Sequence, residues 1–290
     1  MSAVDDDSEI ESSRAPLMDH LVELRSRLII CAWAVGIGFA ISFYYSQPIL
    51  TLLFEPYEKA AGLAAMLKTP GGHGSTDVLL GLLGLKSIPH VQVPVIATEP
   101  LETFFTKVKL SGFGAVVITF PVLAWQLYRF VAPGLYKRER NAFLPFLLAS
   151  PVLFIMGAAL VYFVMLPFVM LFSLSQQFGG ADFSVQLLPR ISEYLSLVTT
   201  LLLSFGLCFQ LPVVMALLGL AGIVSSKMLS GARRYAIVGV FAVAAVLTPP
   251  DPVSMMSLAI PGVLLFEVSI WCVWLIERRR KREDAAAEAA

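Results

Sequence analysis

Six apolar runs limit what this chain can fold into. They lie at about 28–47, 108–131, 142–172, 194–220, 235–247 and 253–276. A helix needs roughly 20 apolar residues to cross a hydrocarbon core of about 30 Å. Inside lipid no water satisfies the backbone, so only helices and closed barrels can span. Continuous apolar runs of this length read as helices. The fifth has thirteen residues, which at ~1.5 Å each reach only about 20 Å. The third is long and holds Pro145, Pro151 and Pro167, so tilt or kinks are expected. The fourth is interrupted by Gln210 and Pro212. Only 14% of the residues are charged, against about 25% in a soluble domain. The fold class that follows is an all-α integral membrane protein with six transmembrane helices.

The segments between the runs give the organisation. Residues 1–19 form an acidic tail. Asp5-Asp6-Asp7, Glu9 and Glu11 have the wrong charge for the n-region of a signal peptide, so the first helix is expected to be retained. A membrane domain covers 20–276, and a basic and polar tail covers 277–290. Residues 48–107 read as a long exterior loop, punctuated by Pro48, Pro56, Pro70 and the glycines at 71, 72 and 74. Within it, Leu79 to Leu85 suggest a short interfacial turn of helix, and Val91 to Val95 an extended stretch. Fifteen Lys and Arg fall on the N-terminal side of the spans and six on the other. The positive-inside rule then places both termini in the cytoplasm, which an even number of spans allows.

Enzyme signatures are absent from the sequence. It holds no HExxH, no GxSxG and no Gly-rich phosphate loop, so neither a metal nor a cofactor is expected. His20, His73 and His90 are scattered outside the spans, and Cys31, Cys208 and Cys272 sit inside apolar runs as small hydrophobes. Glu267 is the one acid within a span. Intramembrane acids are costly and often functional; the plainer reading places it near the inner interface, paired with Arg278 or a neighbour. Gln210 is polar in mid-span and suits helix–helix hydrogen bonding. Glu23 and Glu139 are carboxylates in basic surroundings. They either neutralise their neighbours or receive a guanidinium from a partner, which a carboxylate binds bidentately.

Five stretches, in order along the chain, carry a resemblance. They are His20-Leu-Val-Glu-Leu-Arg-Ser-Arg-Leu28, Phe130-Val-Ala-Pro-Gly-Leu-Tyr-Lys-Arg-Glu139, Ser204-Phe-Gly-Leu-Cys-Phe-Gln-Leu-Pro-Val213, Leu247-Thr-Pro-Pro-Asp251 and Leu265-Phe-Glu267. Together they resemble the TatC family, the core receptor of the twin-arginine protein translocase.

The resemblance implies a concave, glove-like array of six helices with short helices five and six, in the bacterial cytoplasmic (inner) membrane. It implies recognition of twin-arginine signal peptides of folded cargo. Glu23 and Glu139 would accept the arginines, with Arg25, Phe130, Tyr136 and Lys137 shaping the site. It also implies TatA-like and TatB-like single-span partners near Gln210, Glu267, Asp251 and the fifth helix, self-association in a receptor complex, export driven by the proton motive force, and no nucleic acid. Two departures stand out. Gln210 occupies a position where the family commonly has Glu, and an insertion falls around 60–94. The competing class is a secondary transporter of a small solute. Such folds show inverted repeats around midplane polar sites, and no convincing repeat relates the two halves.

Overall fold

The computed structural model describes residues 3–68, 91, 93, 95–131, 140–177, 188–247 and 252–288. Ten α-helices and one π-turn account for most of these. They are α1 (Ala3–Tyr44), α2 (Ser46–Lys68), α3 (Glu102–Val131), α4 (Arg140–Leu160), a π-turn (Val161–Met165), α5 (Leu166–Ser175), α6 (Ile191–Cys208), α7 (Leu211–Leu220), α8 (Ser226–Gly231), α9 (Arg233–Leu247) and α10 (Pro252–Glu288). Five stretches are long and apolar enough to cross a membrane: Leu21–Tyr44, Glu102–Leu127, Leu148–Ser175, Ile191–Leu220 and Met255–Arg282. Helix α9 corresponds to the fifth apolar run. Its 15 residues give a length of only about 22 Å.

The proline positions explain how the third and fourth runs bend. Pro167 has no N–H to give to the carbonyl one turn earlier. Just ahead of it the helix widens into the π-turn, where the Leu166 N–H donates to the Val161 carbonyl. Pro212 does the same to the fourth run. Helix α6 ends at Cys208, a tight turn closes with Gln210 N–H on the Leu207 carbonyl at 2.9 Å, and α7 resumes at Leu211.

Helix α1 packs chiefly along α3. The backbones approach closely because Gly38 faces Ala115 and Thr119, and Gly114 faces Ser42. A Cβ on Gly38 would lie 2.7 Å from the Thr119 side chain and 3.2 Å from the Ala115 carbonyl. These pairings make the two helices antiparallel neighbours with a fixed register. The main core gathers where α2, the α4–α5 unit and α6 meet, around Tyr57, Leu166, Val198, Leu201 and Phe205. A smaller cluster of Phe266, Ile270 and Val273 with Leu229 joins α10 to α8. Helix α10 also packs along α7 and α9.

Three sequence expectations change. Residues 48–68, expected within the exterior loop, belong to helix α2, which has Pro56 inside it. Pro56 leaves the Leu52 carbonyl without its usual donor. The Tyr162 hydroxyl fills that gap at 2.8 Å, and the Tyr194 hydroxyl donates to the neighbouring Leu53 carbonyl at 2.7 Å. Two distant tyrosines thus make a proline tolerable inside a helix. Helix α3 begins at Glu102 rather than near residue 108. Finally, helix six is not short, since α10 continues through the basic stop to Glu288. Its Arg, Lys, Glu and Ala residues are good helix formers. The expected turn of helix at Leu79–Leu85 and the tight turn at residues 248–251 lie outside the described residues. Residues 91, 93 and 95 adopt no regular element, but Ile96, just beyond, pairs in parallel with Arg190.

Candidate functional site

The end of the bundle that carries the start of α1 holds the first proposed binding residue. Glu23 sits on α1 with Arg27 one turn later, and the two form an ion pair. The Arg27 Nε donates to Glu23 Oε1 at 3.1 Å, and Nη2 shares the same oxygen. This i, i+4 spacing places both on one helical face. The Arg27 side chain is only 17% exposed and Glu23 34%, so the pair is partly shielded from water. Arg25, at the intervening position, is exposed.

The α1–α3 register gives the neighbourhood of Glu23. Gly38 lies level with residues 115–119 and Ser42 with Gly114. Carried back along the antiparallel pair, Glu23 comes near the end of α3. That end contains Arg129 and the backbone of Phe130. Tyr136, Lys137 and Glu139 follow directly in sequence but lie outside the described residues, as does Asp251. The register therefore brings two of the sequence-selected positions, Glu23 and Phe130, to a similar height.

Gln210 is committed to an internal contact. Its Oε1 accepts from the Ser150 hydroxyl at 2.6 Å, and its Nε2 donates to the Ser150 carbonyl at 2.9 Å. The amide offers one acceptor and one donor, which matches what Ser150 presents. This ties the α6–α7 turn to α4, in keeping with a helix–helix role.

Glu267 does not pair with Arg278. Its partner is Arg233, with Nε at 2.8 Å from Oε1 and Nη2 at 2.9 Å from Oε2. This two-pronged contact joins the start of α9 to α10, across the hairpin. Arg278 instead lies 5.2 Å from the Trp274 ring centre. Nearby, Glu277 accepts from the Ser226 backbone N–H at 2.9 Å and from its hydroxyl. A carboxylate there complements the exposed donors that begin α8. Ser225 caps the same helix by accepting from Met228 N–H at 3.2 Å.

At the opposite end, sequence reasoning passed over Glu102. It is 93% buried by exposure of 7%, yet both oxygens are filled. Oε2 accepts from Thr98 N–H at 2.7 Å, the Thr98 hydroxyl at 3.3 Å and Glu99 N–H at 3.3 Å. Oε1 accepts from the Ser192 hydroxyl at 2.6 Å and its N–H at 3.3 Å. One carboxylate therefore serves the first turns of both α3 and α6. The signal was present: Thr98-Glu-Pro-Leu-Glu102 just before an apolar run is a helix-start pattern. Among the described residues no group of three or more His, Cys, Asp or Glu is arranged to hold a metal ion.

Comparison with known proteins agrees with this geometry. Residues 19–261 match the family model described as Sec-independent protein translocase protein (TatC). Among curated relatives, the Sec-independent protein translocase protein TatC of Magnetococcus marinus is 39% identical over 276 residues, covering 95% of this chain and 90% of the relative. The Escherichia coli protein of the same name is 34% identical, covering 93% and 92%. The Aquifex aeolicus one is also 34% identical, covering 93% and 100%. A crystal structure described as twin arginine translocase receptor TatC superposes with a TM-score of 0.68 at 32% identity. It covers 88% of this chain and 98% of that one.

Proposed function

The chain belongs to the TatC family of Sec-independent protein translocase proteins, a multi-pass inner-membrane component of that translocase, and from this premise we propose that it is the core receptor for twin-arginine signal peptides. The arginine pair binds at the N-terminal end of the bundle, which faces the cytoplasm. Glu23 and Glu139 accept the two guanidiniums, with Phe130, Tyr136, Lys137 and Arg25 around them. The observation that carries this reading is the α1–α3 register. It brings Glu23 near the end of α3, the helix that precedes Glu139 in sequence, which supports a shared site.

The mechanism needs no covalent chemistry. Glu23 already holds an arginine, Arg27, on one oxygen. That contact supports a guanidinium as its ligand. A signal-peptide arginine binds by sharing or displacing it. Its gain is then the difference between two similar ion pairs, plus whatever Glu139 adds. The arrangement favours a paired-arginine ligand over a single arginine, because one arginine alone would do no more than replace Arg27. The apolar segment of the signal then lies along the exposed apolar side chains of the bundle.

The six spans, with α9 as a short fifth, form the concave array, and both termini are cytoplasmic. The hairpin of α9 and α10, braced by Arg233–Glu267, receives single-span TatA-like and TatB-like partners. Gln210 takes part as a neutral brace. Transport draws on the proton motive force.

The deciding experiment is photocrosslinking from a probe carried by the signal peptide next to its arginine pair, with Glu23 in place, repeated in a Glu139→Gln background. Efficient crosslinking that is lost on changing the peptide's Arg-Arg to Lys-Lys, and weakened by Glu139→Gln, is expected. Equal crosslinking to both peptides would remove the proposal.

A further inference from the structure

A polar crevice lies between α3 and α6, away from every residue discussed under signal recognition. It is a small cleft of about 40 Å³, lined by Thr106, Lys109, Ser192, Ser196 and Thr199, with Leu110 and Leu195 as its apolar floor. Such a lining is unusual on spanning helices, where polar groups are costly and charged ones more so.

The donors in the crevice are unequally used. Ser192 gives its hydroxyl proton to Glu102, and Thr199 gives its own to the Leu195 carbonyl at 2.7 Å. Thr106 is 4% exposed, and its hydroxyl has no partner among the described residues. A buried hydroxyl without a partner costs about 1–3 kcal/mol. Lys109 has no carboxylate partner among the described residues either. It lies one turn below Phe105 on the same face of α3, and both are exposed. That face opens outward, since a side chain at Gly112 would meet nothing within 4 Å.

The two carboxylates near the crevice do not compete for Lys109. Glu102 is saturated by Thr98, Glu99 and Ser192. It lies seven residues up the helix from Lys109, about 10 Å away along the axis. Glu193 is turned to Arg190, with a 4.0 Å separation. What remains is one ammonium and two hydroxyl donors with no acceptor supplied by the protein. This set excludes a cation and suits an anion with several oxygens. Its depth, about two turns inside the far end of a membrane-spanning helix and open to the outward face, is where a lysine can extend toward the headgroup layer.

We propose that this crevice binds the phosphate of an anionic phospholipid from the leaflet opposite the N-terminal end. Lys109 pairs with the phosphate, and Thr106 and Ser196 donate to its oxygens. The lipid then bridges α3 and α6 one turn below the Glu102 clamp.

The test uses the full chain in mild detergent, titrated with phosphatidylglycerol or phosphatidylcholine and read by native mass spectrometry. The wild type is expected to hold phosphatidylglycerol at least about fivefold more tightly, a difference near 1 kcal/mol. Lys109→Gln should abolish that preference, Lys109→Arg should keep it, and Thr106→Val should weaken it. Thr106→Ser, which keeps the hydroxyl, should bind as the wild type does and guards against a folding defect in Thr106→Val. Equal preference in the wild type and Lys109→Gln overturns the proposal. Displacement of the bound lipid by millimolar inorganic phosphate would assign the crevice to free phosphate and overturn the lipid assignment.

Discussion

The two ends of the bundle handle their polar groups in opposite ways. At the far end, Glu102 is buried and receives five donors. Tyr162 and Tyr194 reach across to carbonyls that Pro56 disturbs. At the N-terminal end, Glu23 is partly exposed and pairs with Arg27 of its own helix. A saturated carboxylate fixes structure and has nothing left to offer a ligand. A partly exposed carboxylate paired with a cation keeps room for a second donor. The contrast separates a far end whose buried carboxylate is saturated from a near end whose carboxylate stays partly exposed.

The sharpest way to break this contrast is to remove one carboxylate from each end. Glu102→Leu leaves the Thr98, Glu99 and Ser192 donors unpaired between α3 and α6. It should lower the thermal unfolding midpoint in detergent more than any other single carboxylate change. Signal-peptide crosslinking per folded molecule should persist. Glu23→Gln should do the reverse. Hydrogen bonds to charged groups are worth roughly 1.5–3 kcal/mol, so crosslinking should fall about tenfold or more with the midpoint unchanged. If Glu102→Leu abolished binding while the protein stayed folded, the division of labour would fail.

Next in size are the helix crossings that hold the two ends in register. Gly157 on α4 faces the α6 backbone. A Cβ there would lie 2.8 Å from the Phe205 carbonyl oxygen and 2.8 Å from the Phe209 ring. Backbone cannot step aside as a flexible side chain can. Gly157→Ala should cost about 1–3 kcal/mol by overpacking, measured as a lowered unfolding midpoint. Gly36→Ala on α1 meets nothing within 4 Å and should be nearly silent. A comparable loss at both positions would mean that the α4–α6 crossing is not the tight one.

How much of this was legible beforehand follows the same division. The apolar runs declared the spans because lipid allows no other backbone solution. The short fifth helix followed from counting residues. The bends came from Pro167 and Pro212, whose missing N–H is a local fact. Helix α2 stayed hidden because Pro48, Pro56 and the later glycines read as loop. What rescues Pro56 is a pair of hydroxyls 110 and 141 residues from the carbonyls they meet, and no window along the chain contains them. Of the two options for Glu267, Arg278 or a neighbour, the named one does not hold, for a related reason. Arg278 is near in sequence, but the antiparallel hairpin brings Arg233 alongside. Glu23 stands out in the sequence as a carboxylate among arginines, but its hold on Arg27 depends on which face of α1 each occupies.

The middle of the bundle supplies a finer test, because Gln210 stands between the saturated and the partly exposed cases. Its amide both accepts from and donates to Ser150. Gln210→Glu keeps the shape and the acceptor. Ionised, it loses the donor and sets a carboxylate against the Ser150 carbonyl, at a cost of about 1–3 kcal/mol. Protonated, the same glutamic acid could donate and restore the contact. The variant should therefore be less stable than the wild type at high pH and approach it as the pH falls through the introduced group's pKa. The wild type, with no proton to exchange at this site, should show no such local dependence. Unfolding midpoints of the two proteins measured across pH in one detergent would show it, and a constant difference between them would mean that the introduced carboxyl stays protonated throughout.

The smallest effect is expected at the hairpin. Arg233 and Glu267 make a well-aligned two-pronged pair, but their side chains are 51% and 41% exposed. Exposed pairs of this kind contribute about 0–1 kcal/mol in water, after the cost of holding both chains still. Glu267→Gln retains an acceptor for the guanidinium and should move the unfolding midpoint little in detergent, where water reaches both side chains. In a lipid bilayer the surroundings are less polar, and the unpaired Arg233 charge becomes more expensive to keep. The variant should then lose more stability in bilayer discs than in detergent. Equal losses in the two media would place the pair in water, at the membrane surface rather than within it.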